Sequence, residues 1–177
     1  MAATVEVQEA NGAGPTWSSL GTAKFCTDDA YNPGTDNPVP IVTGQTKRSY
    51  WKSHALLFYG TYTSVTNVKI YTDGGGFGTG IAVKISDETF ADGGYDQATG
   101  TLGDTGDAMF GGGAPHTGVT GTVEVFTYSS ASPKTVDSGT VTGSARAKHI
   151  VLQLETIDTA SPGDLSAETF TWQYDEV

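Results

Sequence analysis

An all-β fold is what this sequence predicts, in the form of a single β-sandwich, jelly-roll-like, across residues 1–177, with long Gly- and Asp-rich loops. Three observations predict it. Short stretches that alternate apolar and polar residues recur along the chain, and a period of two puts one face of a strand in a core and the other in water. Gly, Pro, Asn and Asp clusters separate these stretches at close intervals. No window of helical length carries apolar residues at i, i+3, i+4 and i+7, and no repeat of fixed period suggests a propeller or solenoid.

The elements follow in order. Val5 and Val7 alternate with Thr4, Glu6 and Gln8 before a turn at Asn11-Gly12-Ala13-Gly14-Pro15. Lys24-Phe25-Cys26 reads as a short second strand, and Pro33, Pro38 and Pro40 stiffen the polar connection after it. From Tyr50 to Tyr62 the chain is at its most apolar. Trp51, Ala55, Leu57 and Tyr59 alternate with Tyr50, His54, Leu56 and Phe58, both sets largely non-polar, so a central strand covered on both faces is expected, broken or bulged at Gly60. Val68-Lys69-Ile70-Tyr71 and Ile81-Ala82-Val83-Lys84-Ile85 read as a hairpin joined by a flexible tip at Asp73–Gly80. Residues 86–118 are the least patterned and read as a functional loop or a mobile arm. Strand signals return at Thr122–Tyr128 and Thr140–Thr142. The chain closes on an expected pair, His149–Glu155 and Thr169–Tyr174, around the turn Ala160-Ser161-Pro162-Gly163-Asp164, with Phe170, Trp172 and Tyr174 on one face. Eight to ten short strands result.

Composition bounds the function. The 177 residues suit one domain, and 37% hydrophobic with 10% aromatic residues implies a thin, aromatic-weighted core. Twenty acids against nine Lys and Arg give a net charge of −11, a surface that repels nucleic acid and anionic membranes. No apolar run is long enough to span a bilayer. Cys26 is the single cysteine, so no intrachain disulfide forms, and it reads as a small buried hydrophobe. Residues 1–20 show no basic start, apolar stretch and cleavage site of an export signal. That absence beside a Gly- and Thr-rich, acidic, cysteine-poor composition leads to the expectation of a component assembled inside a cell and released in a particle.

No motif carries chemistry, and the expected catalytic, cofactor-binding and metal residues are none. The glycines of Asp73–Gly80 match neither G-x-G-x-x-G nor a P-loop, and a strand rather than a helix follows. Asp87, Glu88, Asp92, Asp96, Asp104 and Asp107 could supply oxygens to Ca²⁺, but without a D-x-[DN]-x-[DN]-G pattern they read as solvated loop acids. No pair among the acids is marked out for glycoside hydrolysis, and G-x-S-x-G is absent. His54, His116 and His149 lack metal-ligand spacing. His116 is expected at the surface and His54 as a satisfied, partly buried side chain. Lys47, Arg48 and Lys52 with Arg146 and Lys148 would form one basic patch if their segments were neighbours, or would balance nearby acids. Trp51 and Trp172 read as core, whereas Trp17 and Tyr31 are the surface candidates for sugar stacking.

The Ser49-Tyr50-Trp51-Lys52-Ser53-His54 lead-in and the closing segment from Ala160-Ser161-Pro162-Gly163-Asp164 to Tyr174-Asp175-Glu176 resemble uncharacterised all-β structural proteins of tailed viruses of bacteria and archaea. The resemblance covers about the latter two-thirds of the chain and transfers no catalytic motif. It implies a virion component: a head decoration or minor capsid protein, or next a tail or fibre part. Its partners would be other virion proteins such as the major capsid protein and further copies of itself, without direct contact to nucleic acid or membrane. The rival expectation is a carbohydrate-binding β-sandwich module, Ca²⁺-dependent or not, and a glycosidase on the same scaffold ranks below it.

Overall fold

The computed structural model describes residues 2–163 and 165–177 and is all-β, with antiparallel sheets. Thirteen strands are present among the described residues: β1 (Thr4–Asn11), β2 (Thr16–Ser19), β3 (Lys47–Arg48), β4 (Lys52–Tyr59), β5 (Val65–Thr72), β6 (Ile81–Ser86), β7 (Gly100–Thr101), β8 (Thr105–Gly106), β9 (Thr122–Glu124), β10 (Lys134–Asp137), β11 (Ala145–Arg146), β12 (Ile150–Thr156) and β13 (Phe170–Glu176). The large sheet runs β2-β1-β4-β12-β6-β9, with β11 also on β4 and β3 on β12. A three-stranded sheet runs β10-β5-β13, and β7 pairs β8.

β4 has the central place its two apolar faces demand. β1 flanks it along one edge, and β12 with β11 along the other. Leu56 and Phe58 join one buried cluster with Val65, Val68 and Ile70 of β5, Val83 and Ile85 of β6, and Ile150, Leu152 and Leu154 of β12, so both sheets feed the same core. Trp51, one residue before β4, lies in a second cluster with Tyr50, Ala98, Met109, Val119 and Val151. Gly60 ends β4 with a φ of 89°, a backbone state that glycine reaches without steric cost.

Two expected hairpins do not form. β5 belongs to the three-stranded sheet and β6 to the large one, so Asp73–Gly80 is a crossover between sheets rather than a hairpin tip. The closing pair is likewise split: β12 pairs β4, β6 and β3, while β13 pairs β5. Alternation reveals which residues face a core but not which strand lies alongside. Lys24–Cys26 is no strand. It joins no ladder, and its Cys26 carbonyl accepts the Tyr50 amide. Val141 makes a single bridge to Val65, and the strand at Thr122 ends at Glu124 in a 3₁₀ turn, Val125–Thr127. Of the expected closing turn, Asp164 lies outside the described residues.

The largest departure is the 86–118 excursion. It folds back over the large sheet and supplies Phe90, Ala98 and Met109 to the second cluster, with Val119 just beyond. Polar tethers hold it. The Gln153 amide on β12 donates to the carbonyls of Asp107 and Ser49 while its oxygen accepts the Met109 amide. Trp51 Nε1 donates to the Asp96 carbonyl at 3.0 Å. Phe90 and His149 exchange both backbone hydrogen bonds.

One irregularity in the pairing along β4 sets the direction of His149. Arg146 opposes Leu57 and Ile150 opposes His54, so three residues, 147 to 149, face two on β4. That is a β-bulge between β11 and β12, and bulges bend a strand and re-aim its side chains. Ala147 stays in the main core, while His149 is turned to the opposite face, against Phe90.

Close backbone approach makes Gly80 a sensitive position. Its φ is 79°, its carbonyl accepts the Ile157 amide, and a Cβ there would run into the backbone of Thr159 and Ala160. Gly80→Ala is therefore expected to cost about 2–4 kcal/mol in urea unfolding, where strain and displacement add. A loss below about 0.5 kcal/mol, the size of an ordinary surface substitution, would show that the crossover relaxes freely.

Candidate functional site

Two buried polar clusters lie on opposite faces of the large sheet. The first is built by β1 and β4, whose register sets Glu9 opposite His54. Glu9 Oε2 is 3.0 Å from His54 Nε2 and Glu9 Oε1 is 3.2 Å from Lys52 Nζ, which also donates to the Ala30 carbonyl at 2.8 Å. All three side chains are at most 2% exposed. Burial would push the Glu9 carboxyl up, but the hydrogen bond and charge of His54, joined by Lys52, outweigh it and hold the group below its ordinary value. The cluster is a compensated charge set rather than a reactive one.

His54 lies at the wall of a cavity of about 760 Å³ that Cys26, Phe25, Leu154, Phe170 and Trp172 also line. Cys26 is 2% exposed and its thiol donates to the Asp28 carbonyl at 3.3 Å. Burial raises the thiol's pKa against the opposing pull of Lys52, which keeps it a thiol and a poor nucleophile.

On the other face stand His116 and His149, 1% and 0% exposed. His116, expected at the surface, is instead packed against Trp51 and Phe90, with ring centroids at 5.9 and 4.7 Å. The Gly-rich run before it hid the fact that the chain returns to the sheet there. His149 contacts Phe90 and Trp17, both at 5.5 Å. His116 Nδ1 is 2.8 Å from the Thr117 carbonyl and 3.8 Å from Asp96. His116 Nε2 and both ring nitrogens of His149 have no hydrogen-bond partner among the described residues. Sequence reasoning missed this pair because 33 positions and a bulge separate its members.

The loop acids are dispersed. Asp92 holds Arg146 at 2.5 Å, Asp96 accepts the Thr117 amide, Asp104 holds Lys47 at 2.5 Å, Asp107 accepts from Thr99, and Glu88 accepts from Thr120. The Asp87 carbonyl accepts from Lys134. Among the described residues no group of three or more His, Cys, Asp or Glu could hold a metal ion. Four of the five basic residues are just as divided: Lys47 pairs Asp104, Arg48 pairs Glu155, Lys52 is buried on Glu9, and Arg146 pairs Asp92, while Lys148 is exposed and makes no ion pair among the described residues. The four balance acids. Nor is Trp17 a free stacking surface, since the Arg146 guanidinium sits 4.3 Å from its ring centroid. Tyr31 is 44% exposed. No helix among the described residues is long and apolar enough to cross a membrane.

Compared with protein-family models, with curated proteins and with solved structures, the chain matches none.

Proposed function

We propose that this chain is a non-enzymatic structural subunit of a virus particle, a capsid decoration or minor capsid protein that binds other virion subunits. In this reading its two main sheets form a β-sandwich of jelly-roll type. The shared cluster between them supports that, as does the crossing of Asp73–Gly80 from one sheet to the other.

The observation that carries the proposal is the display of large apolar side chains on a loop layer that is otherwise tied down. Leu102, at the tip between β7 and β8, is 62% exposed, and Phe110, next to Gly111, is 47% exposed. A tethered loop that offers apolar tips to water loses little order on docking, which favours subunit contacts repeated by symmetry. The acids nearby are engaged within the layer and its support, Asp104 by Lys47 and Asp107 by the Thr99 hydroxyl, as expected of a surface that positions rather than reacts. The major capsid protein is the partner this reading names, with further copies of the chain beside it in the virion.

The test is mass spectrometry across a density gradient of purified particles from the source culture. The chain should co-sediment with the major capsid protein at constant ratio, and Leu102→Ser with Phe110→Ser should abolish that without unfolding the protein. Recovery only from the particle-free fraction would refute the proposal.

A further inference from the structure

The seam between the 86–121 layer and the large sheet is closed by two imidazoles where hydrocarbon would serve better. His149 is 0% exposed and His116 1%, yet three of their four ring nitrogens have no partner among the described residues. An unpaired buried polar group costs about 1–3 kcal/mol, so these side chains stabilise the seam less than apolar residues of the same size. Their distinctive property is that they take up a proton near neutrality.

The surroundings cannot hold the charge that follows. His149 is walled by Phe90 and Trp17. The ionic groups facing it are Arg146 from β11, a cation, and Asp92 from the 3₁₀ turn Asp92–Gly94, already bonded to Arg146 at 2.5 Å. From β1 the neutral Gln8 accepts from Arg146. His116 has Asp96 at 3.8 Å and the Thr117 carbonyl at 2.8 Å on one side, and Trp51 and Phe90 around the rest. Either imidazolium would leave N–H donors unpaired in an aromatic wall. The strain would fall on the bulge at which Phe90 and His149 exchange backbone hydrogen bonds.

We propose that His116 and His149 form an acid-operated latch: neutral, they let the layer close through Phe90 on the large sheet, and charged, they release it and uncover the apolar surface of Trp51, Val119 and Val151. The device belongs to this seam alone and stands whatever particle or partner the protein serves.

The direction of titration agrees. Burial pushes both imidazoles below the ordinary value of 6.5, and for His149 burial and the nearby His116 take it down to about 4. The closed form therefore has the lower pKa. Its stability is complete above about pH 6.5, falls as the pH drops toward 4, and changes no further through this group below that. Between pH 8 and pH 5 His149 alone shifts the closed-to-open ratio about 30-fold toward open. The carboxyls Glu9 and Glu88, held below 4.5, act only below that pH and so leave the interval from pH 8 to pH 5 to the histidines.

The experiment is amide hydrogen exchange on the unaltered protein from pH 8 to pH 5, corrected for intrinsic exchange rates, with NMR titration of the histidine rings carried down to about pH 3, one unit past the His149 value. Protection at Phe90, His149 and Val119 should fall about 30-fold, while the β5 and β13 ladder keeps its protection, and His149 should titrate near 4. In His149→Phe the fall of about 30-fold should be lost, leaving only what His116 contributes. Uniform loss across both sheets, no loss, or a His149 ring that titrates at its ordinary value would overturn the latch. Should His149→Phe fail to fold, the exchange and NMR measurements on the unaltered protein decide the matter.

Discussion

Lys52→Met is expected to destabilise the protein by about 3–5 kcal/mol, the range measured when one partner of a buried ion pair is removed. Lys52 and Glu9 are 0% and 2% exposed at 3.2 Å, so neither borrows much from water. Removing the ammonium takes a donor from the Ala30 carbonyl and leaves the Glu9 carboxylate facing His54 alone. Glu9→Gln should cost a similar amount, for it strands the lysine charge. The double variant Glu9→Leu, Lys52→Met separates the pair from its parts. Apolar replacement of a whole buried pair is often close to neutral, so its loss in urea unfolding should be well below the sum of the two singles. Strict additivity would mean that the groups do not act together. The pH profile gives a second check: since Glu9 is held below its ordinary value of 4.5, its contribution is complete above that pH and is lost as the pH falls through the lowered value. That loss should vanish in Glu9→Gln.

Phe58→Ala should cost about 3–5 kcal/mol, the usual penalty for emptying a buried aromatic site. Phe58 is 0% exposed on β4 and meets the ring of Tyr174 on β13 edge-on at 5.1 Å, so it ties the large sheet to the three-stranded one. Edge-to-face pairs add about 0.5–1.5 kcal/mol beyond buried area. Phe58→Leu, which refills most of the volume, should lose less than half as much. Urea midpoints at constant slope measure both, and a Phe58→Ala loss under about 1 kcal/mol would show that the two sheets do not depend on this contact.

What the sequence makes legible here is facing, and what it conceals is neighbourhood. The two apolar sets of 50–62 point to a central strand, and β4 is one. The alternation of Phe170, Trp172 and Tyr174 marks the side of β13 that packs on the core. Adjacency in sequence, however, suggests hairpins for β5 with β6 and for β12 with β13, and long crossovers send each second strand to the other sheet. The second cluster escapes notice because Phe90, Ala98, Met109 and Val119 stand eight to eleven positions apart among glycines and acids, with no period to detect. The histidine pair is hidden by the same spacing, and by a bulge that no local pattern announces. The Glu9, Lys52 and His54 set depends on the pairing of β1 with β4, a relation across more than forty residues.

The position of β4 also governs when the protein can fold. Its partner on one side is β1, but the other side waits for β11 and β12, about ninety residues further along the chain. A strand apolar on both faces therefore leaves the ribosome long before its second neighbour exists. Topology of this kind gives high contact order and slow folding, and it exposes a sticky segment during synthesis. The early half of the chain should be aggregation-prone when expressed alone, and the yield of soluble protein should rise at low temperature or with a holding chaperone. Such a molecule spends its vulnerable time before it is complete rather than after.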